Sequence, residues 1–265
     1  MTSTTSADAT THALQRRLGR LLLVIAFWLA VWQGAAVAVG QELLLVTPGA
    51  VILRLGELAR TASFWGTIGY SFVRIVGGFL LAAVVGVLGA ALASVSRIID
   101  ALTTPMVSAV RSTPVVSFII LVLIWADSSR LALIVSFLMV VPIIYSTVLE
   151  GIRNRDRSLL EVAAVFGVPL RRRLPAIDIP AVLPYFVAGC RIGIGLAWKS
   201  GVAAEVIGLP QGSIGERMYQ AKIFLSTADL FAWTVVIIAI SYGLERLVAW
   251  LLGRAQPRLL HGAPA

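Results

Sequence analysis

EVAAVFGVPLRRRLPAIDIP, Glu161–Pro180, is a polar, basic stretch set between long apolar runs. It opens on Glu161, Val162 and Ala163; Gly167 follows the Glu by six residues, Ile177 by sixteen and Pro180 by nineteen. Over residues 157–166, RSLLEVAAVF, the apolar residues Leu159, Val162, Ala163 and Phe166 recur at helical spacing, which predicts a short amphipathic helix. Ser158 is placed to cap it, with Glu161 three residues on completing a capping box. Gly167 suits a left-handed terminator, and Pro169 can open a second helical turn. Arg171, Arg172 and Arg173 follow, and Pro175, Pro180 and Pro184 punctuate the return to the next apolar run. The predicted shape is a helix–Gly–helix knob that fits a groove on another protein. A loop needed only for its positive charge has no use for buried-type residues such as Ala163 and Ala164 beside Glu161 and Gly167.

The flanking runs set the class. Hydrophobic residues make up 58% of the 265 and charged residues 13%, with a mean hydropathy of +0.92. Soluble domains carry roughly 25% charged residues, so the composition specifies a polytopic membrane protein; with helical spans the fold expected is all-α integral membrane. Crossing ~30 Å of hydrocarbon takes about 20 helical residues. Six segments qualify, near 21–40, 66–95, 105–125, 131–150, 184–207 and 230–252. The second carries Arg74, the third Arg111, and Pro142 predicts a kink or local unwinding in the fourth. The organisation expected is a Ser/Thr-rich disordered tail over 1–20, a six-helix domain over 21–252 with the loop at 151–183, and a second tail over 253–265. Arg16, Arg17 and Arg20 before the first run imitate a signal peptide. The apolar run of ~20 residues is longer than a signal-peptide core and suits an uncleaved anchor better.

Lys and Arg placement sets the orientation. With both termini inside, twelve basic residues lie in inside segments, among them Arg153, Arg155, Arg157 and Arg171–Arg173. Five lie outside: Arg54, Arg60, Arg130, Arg217 and Lys222. This puts 151–183 in the cytoplasm, and the net charge of +9 follows from topology rather than nucleic-acid binding. The single Cys190 has no partner for a disulfide or a metal. No phosphate-cradling GxxxxGK[ST] is present. Gly77, Gly78, Gly86 and Gly89 in the second span have the small-residue spacing that lets helices approach closely.

The fifth span holds Arg191, Lys199 and Glu205. Ionisable groups at this depth face a bundle interior or a watery cavity. Arg191 and Glu205 fall within about 40° of one face but about 21 Å apart along the axis, so they cannot pair. Each is a candidate for interhelical bonding or for the pathway. Lys199 lies between them in height, about 80° round from Arg191; it attracts an anionic substrate, pairs with an acid of a partner copy, or snorkels to water. Trp198 is expected to pack on a neighbouring helix.

The spacing of Glu161, Ala163, Gly167, Ile177 and Pro180 resembles the "EAA" loop of ATP-binding-cassette importer permeases, with Val162 in place of that family's first Ala. The resemblance runs over roughly residues 20–255. GCRIGIGLAW (189–198), AAEVIG (203–208), QGSIGE (211–216), Thr113-Pro114 and VTPGAV (46–51) are similar to the nitrate/sulfonate/taurine group. It implies a type I permease fold and a coupling role for Glu161, Ala163, Ala164, Gly167, Ile177 and Pro180. The implied partners are a dimer of ATPase subunits that bind ATP and Mg, a second permease copy, and an extracytoplasmic solute-binding protein. The implied location is a bacterial inner or plasma membrane, with no chemistry or cofactor in this chain and no nucleic-acid partner. Nitrate-, sulfonate- or taurine-like solutes and thiamine-precursor pyrimidines are all served by such permeases. An ion-coupled transporter would need paired broken helices and midplane carboxylates, whereas Glu205 and Glu245 lie near span ends. A membrane enzyme would need a His, Asp or Cys cluster that the spans lack.

Overall fold

The computed structural model describes the backbone of residues 5–261 and the side chains of residues 19–254 other than Leu21. Every regular element among them is helical. Five helices contain a stretch long and apolar enough to cross a membrane: α1 (Thr5–Val39), α3 (Ala62–Val95), α6 (Ser128–Arg153), α9 (Ile179–Gly208) and α11 (Thr227–His261). The sixth is a bent pair, α4 (Arg97–Ser112) and α5 (Val115–Trp125), meeting at 106°. The single span expected at 105–125 is therefore two helices broken at Thr113-Pro114. Pro114 has no N–H to give and crowds Thr113 out of the helical region; Thr113 sits at φ −85°, ψ 129°. At Pro142 the expected unwinding does not occur, and α6 runs through it unbroken. The Pro142 carbonyl accepts from Ser146 Oγ at 2.7 Å and from Arg111 at 3.4 Å.

Helix α1 starts at Thr5 and α11 ends at His261, so residues 5–20 and 253–261, expected as tails, prolong the helices. No proline interrupts 5–20. Residues 1–4 and 262–265 lie outside the described part. Two short helices escaped the sequence reading. Thr47 caps α2 (Pro48–Ala59), with Pro48 at its first position, and Ser213 caps α10 (Ile214–Ile223), accepting from Glu216 N at 3.0 Å. Arg54 of α2 reaches Asp229 of α11 at 2.5 Å. That hydrogen bond, joined by one to Glu57, pushes the guanidinium further above its ordinary range.

The core is α3, α6 and α9 packed on one another. A Cβ on Gly78 would strike the Leu133 carbonyl, and one on Gly86 would come within 2.8 Å of Ile144. Both lie on one face of α3, eight residues apart, and let its backbone approach α6. Gly77 and Gly89 meet only ordinary contacts. Ser136 of α6 donates to the Ala197 carbonyl of α9 at 3.0 Å. Trp198 is fully buried and donates to the Ile237 carbonyl of α11 at 3.0 Å. Arg74 is satisfied at depth by the Ser129 carbonyl at 2.7 Å and by the Tyr70 ring. Helix α1 differs: only 6% of its apolar window is buried. The end of the bundle where α3 and α6 finish and α9 begins also carries the 154–178 loop.

Candidate functional site

The loop folds as α7 (Arg157–Val165), α8 (Leu170–Arg173) and a π-helical turn, Leu174–Asp178, that leads into α9. Asp156 caps α7, accepting from Ser158 N at 2.8 Å and Leu159 N at 3.4 Å. Ser158 is therefore not the cap and no capping box forms, because the carboxylate two residues earlier takes the open N–H groups. The C-terminal stop is as expected. Gly167 adopts φ +61°, Gly167 N donates to Ala164 O at 3.1 Å, and Val168 N donates to Ala163 O at 2.9 Å. These two bonds satisfy the last carbonyls and need a left-handed residue at 167.

The apolar face splits in two. Ala163 is buried, and is not on the crown with Leu159, Val162 and Phe166 as the spacing suggested. The crown is Leu159, Val162, Val165 and Phe166, with Val165 83% and Phe166 79% exposed. Glu161 and Ala164 share that outer side, and no hydrogen bond among the described residues engages Glu161. Exposed apolar groups clustered on a short rigid knob mark a contact surface. Ile177 and Pro180 are half-buried at the π-helical turn and the start of α9.

One residue of the knob was missed. Asp178, 6% exposed, takes Arg155 on one carboxylate oxygen and Arg173 on the other, the latter at 3.0 Å. Arg155 precedes α7 and Arg173 ends α8, so a single carboxylate at the foot of α9 pins both ends of the knob. The only hint in the sequence was an acid flanked by Ile177 and Ile179 at the mouth of a span.

The three span charges separate. Glu205 is fully buried near the far end of α9, accepting from Ser71 Oγ of α3 at 2.7 Å and Gly215 N of α10 at 3.3 Å. Ser71 Oγ in turn accepts from Ile214 N at 3.0 Å. Glu205 thus joins the first turn of α10 to α3 and α9 by hydrogen bonds. Arg191 and Lys199 are exposed on the bundle surface, with no hydrogen bond among the described residues. They share a stripe with Ala188, Ile192 and Leu196.

Residues 82–261 match the family described as binding-protein-dependent transport system inner membrane component. SsuC of Bacillus subtilis, named as an aliphatic sulfonates transport permease, is 28% identical over 83% of this chain and 80% of its own length. The bicarbonate transport system permease CmpB of Synechococcus elongatus is 30% identical over 71% of this chain and 68% of its own. A crystal structure of an amino acid ABC transporter aligns with a TM-score of 0.54 at 18% identity, covering 78% of this chain and 96% of that one. That last likeness is one of fold.

Proposed function

Because this chain belongs to the family of inner membrane components of binding-protein-dependent transport systems, we propose that it forms half of a translocation pathway and couples it to ATPase subunits through residues 156–178. The family makes it a multi-pass transport subunit and not an enzyme. The observation that carries the coupling reading is the pinned knob itself, an uncovered apolar crown around an unengaged Glu161. A soluble partner covers the crown and supplies the donor that Glu161 lacks, in a charge-assisted hydrogen bond. The partners are two ATPase subunits holding ATP and Mg, a second permease copy and an extracytoplasmic solute-binding protein. Support for the second copy comes from α1, which its own bundle hardly covers, and from the Arg191–Lys199 stripe.

Both termini and the knob face the cytoplasm in this reading. With Ser158→Cys in a Cys190→Ala background, an impermeant thiol reagent applied to intact cells should leave residue 158 unlabelled and label it after lysis. Rapid labelling in intact cells would invert the orientation.

The solute is a small anion or zwitterion. The relatives named for sulfonates and bicarbonate support this, as does the cationic stripe. A charge held in the membrane costs ~2.5–3.5 kcal/mol on insertion scales, which calls for a compensating role at Lys199. Lys199→Met keeps the stem and removes the charge. It should slow uptake at least about tenfold, or ~1.4 kcal/mol, with assembly unchanged. Lost assembly would instead make Lys199 a structural ion pair, and normal uptake would remove it from the pathway.

A further inference from the structure

At the loop end of the bundle two cavities lie side by side, sharing wall residues. One, of about 520 Å³, is cationic: Arg97, Arg153, Arg155 and Arg157 face it against one carboxylate, Asp100. Arg153 is paired with that Asp100 at 2.6 Å, while Arg97 and Arg157 make no ion pair among the described residues. The other, of about 550 Å³, is an apolar groove between α3, α6 and α9, walled by Val87, Ala91, Val148, Ile152, Val182 and Phe186. Arg155 and Val95 line both cavities. The only acid of the groove, Asp178, is already held by Arg155 and Arg173.

The groove points into the membrane. Val87 lies eight residues before the end of α3, about 12 Å up the axis, and Phe186 seven residues into α9, about 10 Å up. A water-soluble protein docking on the loop does not reach that depth. Helix α1 of a second copy is a poor occupant for a different reason. Its apolar run is preceded by Arg16, Arg17 and Arg20, which would meet the arginines of the mouth with like charge. An amphiphile with an anionic head and apolar chains matches both cavities. Basic pockets between helices at a membrane surface bind such headgroups.

We infer that this composite cleft is a binding site for one anionic phospholipid, its phosphate among Arg97, Arg153 and Arg157 and an acyl chain in the groove between α3, α6 and α9. The inference rests on the membrane-spanning reading above; the orientation proposed there, which the labelling at residue 158 tests separately, puts the cleft in the cytoplasmic leaflet. Arg155 is fixed at the junction, its guanidinium donating to the Ile152 carbonyl at 2.7 Å and to Asp178.

The test is native mass spectrometry of the purified full chain titrated with dioleoylphosphatidylglycerol and, separately, dioleoylphosphatidylcholine. The unaltered chain should bind one phosphatidylglycerol in preference to phosphatidylcholine. Arg97→Gln with Arg157→Gln should weaken that binding about 30-fold, at ~1 kcal/mol per cation, and leave phosphatidylcholine unaffected. Ala91→Phe, which fills the groove without touching a charge, should also displace the lipid. Equal binding of phosphatidylglycerol by the unaltered chain and both variants would overturn the site. So would displacement of the lipid by glycerol phosphate at equal concentration, which would reduce the cleft to a plain anion pocket.

Discussion

Gly167→Val is expected to abolish ATP-driven uptake in the reconstituted transporter while leaving the helical bundle inserted and folded. No atom lies within 4 Å of the position a Cβ would take, so the substitution causes no clash. Its whole effect is on the backbone, which stands at φ +61°. The left-handed region penalises ordinary residues by about 1–2 kcal/mol and a β-branched one more. The two bonds that end α7 need that conformation, so the Val variant re-aims Phe166 and Val168 and turns the crown away from its partner. Gly167→Asn, which tolerates the left-handed region, should keep most of the uptake. Glu161→Ala should lose uptake without losing stability, since nothing described in the chain depends on that carboxylate. Wild-type uptake by both the Val and Ala variants would remove the coupling role from the loop.

Asp178→Ala should act differently, by loosening the knob from the bundle. Removing one partner of a fully buried ion pair costs ~3–5 kcal/mol. Here the arginine side chains keep 22% and 34% exposure, so a smaller loss, about 2–3 kcal/mol, is expected for the loop's attachment. Limited proteolysis within 154–177 should become rapid, and the ATPase subunits should no longer copurify. Replacing the whole triad with apolar residues, Arg155→Met, Arg173→Met and Asp178→Leu, should recover protease resistance, because no charge is then left unpaired. Proteolysis of Asp178→Ala at the wild-type rate would show that the carboxylate does not hold the knob.

What could be read from the sequence was local. The knob's end at Gly167 and the turn opened at Pro169 follow from residues within a few positions of each other, and the structure keeps both. The cap is local too, yet Asp156 and Ser158 are both good caps two residues apart. Spacing alone does not choose between them; the carboxylate, placed to accept from two N–H groups, wins. The break at Thr113-Pro114 was masked by apolarity: hydropathy counts side chains, while the bend is a backbone event set by one missing N–H. The remaining features depend on residues distant in sequence. Glu205 and Ser71 are 134 residues apart and Asp178 and Arg155 are 23 apart, and no periodicity links either pair. The same holds for the face of α9 on which Arg191 and Lys199 stay uncovered while Glu205 is enclosed. Helical angles placed Arg191 and Glu205 near one another in azimuth, but the 21 Å between them along the axis takes them past different neighbours, so one is buried and the other is not.

The knob's partner can be identified directly by a photo-crosslinking residue at Phe166, the exposed tip of the crown, in cells carrying the complete transporter. Irradiation should give one dominant adduct, this chain joined to the ATPase subunit, and the Gly167→Val change should abolish it. Adducts only with lipid or with the solute-binding protein, or none while uptake proceeds normally, would contradict docking of this loop on an ATPase.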